Sequence, residues 1–255
     1  MTTTYIVTLP RTKKESIQEV WLLQWMLDND IHKWIIAKET GNDGYKHWQI
    51  RLQSRYTWEE MKKHFGKEAH IEEASDDYNY ERKEGNYYTS DDNEYTIQAR
   101  FGELRPNQRQ YLENLNTQND RQIDVIVDTG RNSGNHGKTW LARHLFQSGK
   151  GFYVPPTIGT GKGIIQFIAS GYRGEPYIIV DIARSTRWNS ELYVALETIK
   201  DGLVYDTRYH HTQRDIHGVK VLVTCNEKPV LKRLSRDRWR LYDWHGLPLK
   251  DDPTL

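Results

Sequence analysis

The segment that most constrains the fold is a glycine-rich stretch that follows an apolar run and ends in Gly137, Lys138 and Thr139. Residues 123–127 have the apolar, β-branched composition of a buried strand, and residues 140–146 have a helical pattern. Small residues between such a strand and helix let backbone N–H groups surround a phosphate, which the lysine and the helix N-terminus also attract. The arrangement predicts an α/β unit with a P-loop nucleotide site.

Five residues of this stretch are predicted to bind ATP with Mg²⁺: Gly134, Asn135, Gly137, Lys138 and Thr139. The lysine would reach the β- and γ-phosphates, and the threonine hydroxyl would hold the ion. The strict spacing requires a glycine where this chain has Asn132, and an ordinary glycine-rich turn is the alternative. Residues 159–163 form a second glycine-rich stretch with a lysine, Lys162. No hydroxyl residue follows this lysine, and two prolines rather than a strand precede the stretch, so we expect no phosphate site there.

Two further apolar runs, residues 177–180 and 219–223, are separated by helix-length segments, as a parallel sheet requires. Asp181 follows the first run, where a carboxylate can hold Mg²⁺ or its water, although it could instead cap a helix. Asn226 follows the second and could contact the γ-phosphate, or simply form a turn. Ile182 stands where a second acidic residue often follows, so the general base stays unassigned.

A basic stretch near the C-terminus offers two candidates for an arginine finger, Arg236 and Arg238. A solvated basic face explains the same stretch equally well.

The first hundred residues predict a small α+β domain with an antiparallel sheet. We expect strands at residues 4–9, 34–37, 47–53 and 70–73, and helices at 15–27, 57–65 and 76–84. The predicted domains are residues 1–95, a polar segment at 96–120 that is a linker, a short helix or an oligomerisation segment, and residues 121–255.

A metal site is one interpretation of three polar residues in the first domain. His47 and Gln49 lie two apart in a predicted strand, so their side chains share a face. Glu39 ends the preceding strand, and a turn at residues 41–44 would bring it beside His47. A carboxylate, an imidazole and an amide oxygen suit Mg²⁺ or Mn²⁺ better than zinc. The alternative is a solvent-exposed face of a hairpin.

Tyr80 and Lys83 lie three apart in a predicted helix, and therefore on one face. A phenol with a pKa of about 10 is a poor nucleophile at neutral pH, but beside a divalent ion and a lysine it could attack phosphorus. A surface pair is the alternative. Tyr78, Tyr87 and Tyr88 are rival nucleophiles, although Tyr78 would face away from Lys83 and the other two follow the break at Gly85.

Composition limits the classes of protein that remain. The chain of 255 residues has 36 Lys and Arg against 35 Asp and Glu, but residues 1–100 hold 14 against 18 and the remainder 22 against 17. The first half therefore lacks the basic excess typical of nucleic-acid binders, so local groups and a metal would have to handle DNA. A single cysteine, Cys225, excludes a disulfide framework. No signal peptide or membrane-spanning run is present, and we expect an intracellular protein.

Taken in order, these motifs resemble those of rolling-circle replication initiator (Rep) proteins of circular single-stranded DNA viruses of the circovirus and nanovirus type, and of related plasmids. The resemblance is carried by Tyr-Ile-Val-Thr-Leu-Pro at 5–10, His-Trp-Gln at 47–49 and Tyr-Glu-Arg-Lys-Glu-Gly at 80–85, with residues 69–74 before the tyrosine. Residues 134–139, Asp181 and Asn226 resemble the Walker A, Walker B and C motifs of a superfamily 3 helicase, and residues 196–202 its intermediate motif. Pro10 and Arg11 depart from the usual asparagine-rich end of the first motif.

The resemblance implies an HUH endonuclease domain fused to an AAA+-like superfamily 3 helicase domain. Glu39, His47 and Gln49 would then hold Mg²⁺ or Mn²⁺, Tyr80 would form a 5′-phosphotyrosine with Lys83 assisting, and the second domain would use ATP for unwinding. The implied partners are single-stranded DNA with an origin stem-loop and further copies in a hexameric ring. The implied location is the host nucleus for a eukaryotic virus and the cytoplasm for a bacterial plasmid.

Two other functions stay open at this point. One is an ATP-dependent nucleic-acid-binding or packaging ring whose first domain binds DNA without cleaving it. The other is a small-molecule P-loop kinase, which would leave the first hundred residues without a use.

Overall fold

The computed structural model describes residues 2–129, 133–208 and 211–249. The chain forms two compact units. The first comprises the described residues up to Gly102 together with Gln147–Gly149, and the second comprises the other described residues. No helix in the described ranges is long and apolar enough to cross a membrane.

The first unit is built on an antiparallel sheet of five strands, which confirms the sheet type predicted for this part of the chain. The strands are β1 (Thr3–Pro10), β2 (Trp34–Thr40), β3 (Lys46–Ser54), β4 (His70–Glu73) and β5 (Tyr87–Thr89), in the spatial order β4-β1-β3-β2-β5. The helices are α1 (Glu15–Asp28), α2 (Trp58–Phe65) and α3 (Glu94–Phe101). Thr57 caps α2 by accepting a hydrogen bond from Glu60 N–H in a capping box.

The two faces of this sheet differ because side chains alternate along each strand. On β3, Trp48, Ile50 and Leu52 are fully buried and belong to a core that includes Leu22 of α1 and Met61 of α2. The residues between them point to the opposite face, which therefore carries His47, Gln49 and Arg51. The other face carries these polar side chains of β3 beside a smaller apolar cluster contributed by β2 and β5.

The helix predicted at residues 76–84 is wrong: the structure has only a 3-10 turn, Tyr80–Arg82. The carboxylate of Asp77 accepts hydrogen bonds from both the backbone and the side-chain amide of Asn79, and such local bonds compete with helix formation. Gly85, with φ of +67°, ends the segment. Tyr80 and Lys83 still share a face, because residues three apart eclipse each other in a 3-10 helix.

The second unit contains a parallel five-stranded sheet with helices, and the three buried strands predicted there are confirmed as parallel neighbours. The strands are β6 (Ile123–Val127), β7 (Gly151–Val154), β8 (Tyr177–Asp181), β11 (Lys220–Cys225) and β12 (Trp239–Tyr242), in the order β12-β6-β11-β8-β7. The helices are α4 (Pro106–Asn116), α5 (Lys138–Gln147), α6 (Gly161–Gly171) and α7 (Ser190–Asp201). A separate hairpin joins β9 (Leu203–Asp206) to β10 (Thr212–Asp215).

The polar stretch at 96–120 contains the end of α3 and all of α4. Pro106 occupies the first turn of α4, where its missing N–H costs no hydrogen bond. Tyr111 and Leu115 of α4 are buried, in a core with Ile126 and Leu222 of the sheet. These two apolar side chains anchor an otherwise polar helix on the second unit.

The sequence predicted that no strand precedes residues 159–163, but β7 ends at Val154, shortly before them. Thr160 caps α6 by accepting a hydrogen bond from Gly163 N–H. The N–H of Gly161 donates to the Glu191 carboxylate, and a Cβ at Gly161 would lie 2.2 Å from the Glu191 carbonyl oxygen. The space a phosphate would need at Gly161 is therefore filled by α7.

Two candidate functional sites

A cluster of polar side chains lies on the face of the first sheet that is opposite its main core. Glu39 of β2 and His47 of β3 are directly paired across the hairpin, and His47 Nε2 lies 3.7 Å from Glu39 Oε2. Gln49 follows on the same face, where its Oε1 accepts a hydrogen bond of 2.9 Å from the hydroxyl of Thr8 on β1. The structure thus brings Glu39, His47 and Gln49 to one face on adjacent strands.

The imidazole of His47 is oriented by the residue two before it. His47 Nδ1 lies 3.3 Å from the Tyr45 carbonyl oxygen, and the two rings stack with centroids 5.4 Å apart. A proton on Nδ1 would satisfy that carbonyl and leave the Nε2 lone pair directed towards Glu39. Histidine ligands of metals are commonly fixed in this way by a backbone carbonyl.

Glu39 combines burial with an unused acceptor. Burial raises the pKa of its carboxyl group, while the hydrogen bond from Lys83 acts in the opposite direction. Glu39 Oε1 is buried and has no hydrogen-bond partner in the described part of the chain, whereas Oε2 lies 2.8 Å from Lys83 Nζ. A free carboxylate oxygen beside an imidazole and an amide oxygen fits a hard divalent cation.

No group of three or more His, Cys, Asp or Glu side chains that could hold a metal is found among the residues the structure describes. A metal at Glu39 and His47 would therefore depend on the amide of Gln49, and on water or phosphate oxygens, to complete its coordination.

Lys83 connects this cluster to Tyr80. Its ammonium group lies 3.7 Å from the centroid of the Tyr80 ring and forms the ion pair with Glu39. The Tyr80 side chain is 54% exposed, so a substrate can approach its hydroxyl. The phenol, the lysine and the carboxylate thus form a continuous chain of contacts.

The three rival tyrosines are less accessible. The Tyr78 hydroxyl is buried, and burial raises the pKa of this phenol. Tyr87 is buried, and burial likewise raises the pKa of the half-buried Tyr88. A buried phenol with a raised pKa is a worse nucleophile, so the geometry favours Tyr80.

Two residues that the sequence did not predict, Arg51 and Glu81, hold the turn that carries Tyr80. Arg51 on β3 binds Glu81 through Nε at 3.0 Å and Nη2 at 2.9 Å, and its Nη1 donates to the Ser75 carbonyl oxygen. Both side chains are buried. The alternation along β3 that groups His47 with Gln49 also places Arg51 on this face. The sequence could therefore have indicated Arg51 as a further residue of the site, and Glu81 as a neighbour of Tyr80.

A second cluster lies where the strands of the parallel sheet end. Asp128 follows β6, Asn226 follows β11 and Asp181 ends β8, and these three strands are adjacent. Asn226 Nδ2 donates to the Asp128 carbonyl oxygen at 2.9 Å. The Asp181 carboxylate accepts from the hydroxyls of Thr224 at 2.6 Å and Tyr153 at 3.2 Å. Ligand sites of open α/β sheets are found at this edge.

The glycine-rich stretch adopts backbone conformations that its residue types favour. Gly134, Asn135 and Gly137 all have positive φ values, of +109°, +58° and +81°. Lys138 begins α5 and forms an ion pair with Asp128, and Thr139 is exposed in the first turn of α5. Asn132, where the strict spacing fails, lies outside the described residues.

Helix α4 holds this stretch from the other side, which the sequence did not predict. Asn107 Nδ2 donates to the His136 carbonyl oxygen at 3.1 Å, and Gln108 Nε2 donates to that of Gly137 at 2.9 Å. The His136 ring stacks on Trp244, with centroids 4.1 Å apart. These contacts bind the backbone carbonyl groups of His136 and Gly137 to α4 and leave the N–H groups of these residues free of those bonds.

The arginines near this edge have different environments. Arg184, after β8, donates to the Ser133 hydroxyl at 2.9 Å. Arg238 is buried and paired with Asp201 at 2.8 Å and Glu197 at 3.2 Å, an environment that favours a structural role over an arginine finger. Arg236 lies in the same 3-10 turn and is exposed.

Comparison with known proteins finds three similar replication proteins, whereas no family model matches the chain. Para-Rep C7 of Faba bean necrotic yellows C7 alphasatellite is 28% identical over 143 residues, or 54% of this chain and 48% of the relative. The master replication protein of banana bunchy top virus is 31% identical over 109 residues, or 43% and 36%. Para-Rep C10 of Milk vetch dwarf C10 alphasatellite is 27% identical over 143 residues, or 54% and 48%.

The chain therefore spans less than half the length of each of these curated relatives. Two of them come from alphasatellites and one from a nanovirus-type source, the class to which the ordered motifs already pointed. We conclude that this chain is a relative of the Rep proteins of circular single-stranded DNA viruses and their satellites, which confirms the resemblance inferred from its motifs.

Proposed function

We propose that the chain initiates rolling-circle replication by nicking and rejoining single-stranded DNA in its first unit, and that its second unit hydrolyses ATP to unwind DNA. The observation that carries the proposal is the position of Lys83, which contacts both the ring of the exposed Tyr80 and the buried carboxylate of Glu39. The names of the similar proteins support the replication role.

In the proposed nuclease site, Glu39, His47 and Gln49 would hold Mg²⁺ or Mn²⁺, which would supply positive charge to the scissile phosphate. The Tyr80 oxygen attacks phosphorus, so an O–P bond forms and the bond to the 3′ oxygen breaks. The phenolic proton is lost and the departing strand ends in a 3′-hydroxyl. Lys83 neutralises developing charge, and a later 3′-hydroxyl reverses the step and restores the phenol.

In the proposed ATPase site, the loop that includes Gly134, Asn135 and Gly137 surrounds the phosphates and Lys138 binds them. Thr139 and Asp181 would hold Mg²⁺, and the amide of Asn226 would contact the γ-phosphate. The proposed unit is of the superfamily 3 helicase type and acts as a hexameric ring on single-stranded DNA, with an origin stem-loop as the substrate of the first unit. Neither the general base nor the arginine finger is assigned.

Covalent capture of DNA tests this proposal. The wild-type protein is incubated with Mn²⁺ and single-stranded hairpins whose loops are randomised, and protein–DNA adducts are separated on a denaturing gel. We expect an adduct with the wild type, none with Tyr80→Phe and an adduct with the matched variant Tyr88→Phe.

An adduct with Tyr80→Phe would remove Tyr80 from the nucleophile role. Binding of the hairpins without cleavage by the wild type would instead favour the ATP-dependent ring whose first unit only binds DNA.

A further inference from the structure

We propose that the carboxylate of Asp128 is an internal competitor for phosphate, occupying the cationic and N–H groups of the loop until a nucleotide displaces it. The inference rests on the proposed nucleotide site in the second unit. It gives a role to a residue that the phosphate-loop pattern does not use.

Asp128 is fully buried at the point where β6 ends. Its Oδ2 accepts a hydrogen bond of 3.1 Å from the backbone N–H of Gly134 and forms an ion pair with Lys138. Its Oδ1 lies 3.0 Å from His136 Nδ1. One carboxylate therefore engages three separate groups of the glycine-rich stretch.

These are the kinds of group that a phosphate loop offers to its ligand. A bound nucleotide is held by inward-directed backbone N–H groups and by the lysine, which reaches the β- and γ-phosphates. In this structure the Gly134 N–H and the Lys138 ammonium are both directed at an anion that belongs to the chain itself. Although burial alone would raise it, the interaction with Lys138 holds the pKa of Asp128 below its usual value, which agrees with a charged carboxylate.

The backbone around Asp128 is held by other residues, so that its side chain can leave without collapse of the loop. Asn226 binds the Asp128 carbonyl oxygen, and Asn107 and Gln108 of α4 bind the carbonyl oxygens of His136 and Gly137. Rotation of the carboxylate away from Lys138 would leave these three backbone contacts in place.

Competition of this kind weakens the binding of every ligand whose phosphate contacts Lys138, and it does not change the affinity for ligands without a phosphate. Removal of the charge in Asp128→Asn should therefore tighten binding of ATP, ADP and inorganic pyrophosphate about tenfold, as expected when a charge-assisted hydrogen bond no longer has to be broken. Binding of adenosine, which has no phosphate, should not change. In a Lys138→Met background the gain from Asp128→Asn should disappear.

The experiment measures dissociation constants by calorimetry for ATP, pyrophosphate and adenosine with the wild type, Asp128→Asn and Asp128→Ser. Asp124→Asn is the matched control, because Asp124 is also buried, lies on β6 four residues before Asp128 and contacts Gln118 and Arg240 instead of the loop. Thermal unfolding verifies that each variant is folded. If Asp128→Asn does not fold, the comparison is made with Asp128→Ser.

Tighter binding of ATP and pyrophosphate by the Asp128 variants, with no change for Asp124→Asn, supports the inference. Unchanged or weaker binding by both Asp128 variants, when the wild type binds ATP, overturns it and leaves the proposed ATPase site intact. Absence of nucleotide binding in the wild type and all variants contradicts the proposed ATPase site, and this inference with it.

Discussion

At the scale of single residues, Lys83 contacts both Glu39 and Tyr80, and a metal ion at Glu39 would disrupt the first of these contacts. Its ammonium group lies 2.8 Å from Glu39 Oε2, the oxygen that also faces His47 Nε2. A divalent cation at Glu39 would repel this ammonium group, leaving Tyr80 or an incoming phosphate as its partner. Lys83 therefore stabilises the metal-free carboxylate and competes with the ion for it.

The first prediction is that Lys83→Met binds Mn²⁺ more tightly than the wild type. Lys83 is partly exposed, so the competing ion pair is expected to contribute about 1 kcal/mol or less, which corresponds to roughly a fivefold change at most. Calorimetric titration with Mn²⁺ measures it, and covalent capture of DNA should fall in the same variant.

The exposed Lys67 gives the matched control, because Lys67→Met should leave the Mn²⁺ affinity unchanged. Weaker Mn²⁺ binding by Lys83→Met would show that the lysine supports the metal site rather than competing with it.

A contact between two residues could be predicted from the sequence when the residues are close together along the chain. Glu39 and His47 are joined by a short turn whose glycines are visible in the sequence, so their pairing was inferred and is observed. Arg51 and Glu81 are separated by 30 positions and meet only because the 3-10 turn folds against the sheet. Local patterns contain no information about that contact.

At the scale of elements, the 3-10 turn that carries Tyr80 has little stability of its own. Such turns have poor hydrogen-bond geometry and are short, so their position depends on tertiary contacts. The main anchor here is Glu81, which is buried, accepts a hydrogen bond from Arg51 Nε and forms an ion pair with the same guanidinium group. The placement of the proposed nucleophile thus depends on a residue of β3.

The second prediction is that Arg51→Lys lowers the rate of covalent capture about tenfold and leaves the Mn²⁺ affinity unchanged. A lysine keeps the charge but cannot reproduce the planar set of donors that now contacts both Glu81 and the Ser75 carbonyl oxygen. We expect a loss of about 1–3 kcal/mol of unfolding free energy as well. Single-turnover adduct formation and calorimetry provide the two measurements.

An unchanged capture rate in folded Arg51→Lys would contradict the positioning role. A large loss of Mn²⁺ affinity would show that Arg51 supports the metal ligands instead.

Elements were predictable where their composition is distinctive, as in the buried runs of the parallel sheet, although the short strand β4 was also predicted correctly. The buried runs of β6, β8 and β11 were recognised from composition, because strands covered on both faces are almost wholly apolar. The four-residue strands β7 and β12 and the hairpin of β9 and β10 carry too few residues for periodicity to distinguish them from loops. Their existence depends on neighbours supplied by the fold.

At the scale of the whole molecule, each proposed site is formed within one compact unit. Glu39, His47 and Lys83 belong to the first unit, and Asp128 and Asp181 belong to the second. Neither proposed chemistry therefore requires a residue from the other unit for its core geometry. The acidic balance of the first hundred residues is compatible with this arrangement, because a bound divalent ion would supply the charge that binds phosphate.

Stability of the second unit involves a buried lysine that connects distant parts of the chain. Lys200 at the end of α7 donates to Gln118 Oε1 at 3.1 Å, and to the carbonyl oxygens of Asn119 at 3.2 Å and Val219 at 2.9 Å. Burial, together with the nearby charge of Lys220, lowers the pKa of Lys200 to about 8. Arg238 lowers this pKa further, whereas Asp120 and Asp124 raise it and only partly offset the effect.

The third prediction is a rise in stability between about pH 8 and pH 10.5 that depends on Lys200. In this range the folded chain has released the Lys200 proton, whereas the unfolded chain, with the usual lysine pKa, retains it. The unfolded state thus binds more protons, and the free energy of unfolding increases with pH by up to about 3 kcal/mol from this group. Below pH 8 both states are protonated and the contribution is constant.

Other groups titrate in the same range, so the quantity to measure is the difference between wild type and Lys200→Met in chemical unfolding at pH 7.5 and pH 10. That difference should shift in favour of the wild type as the pH rises, since the variant has no buried charge to relieve. An equal change in both proteins would mean that Lys200 remains charged in the folded state, held by the oxygens of Gln118, Asn119 and Val219, and that these bonds outweigh the effect of burial.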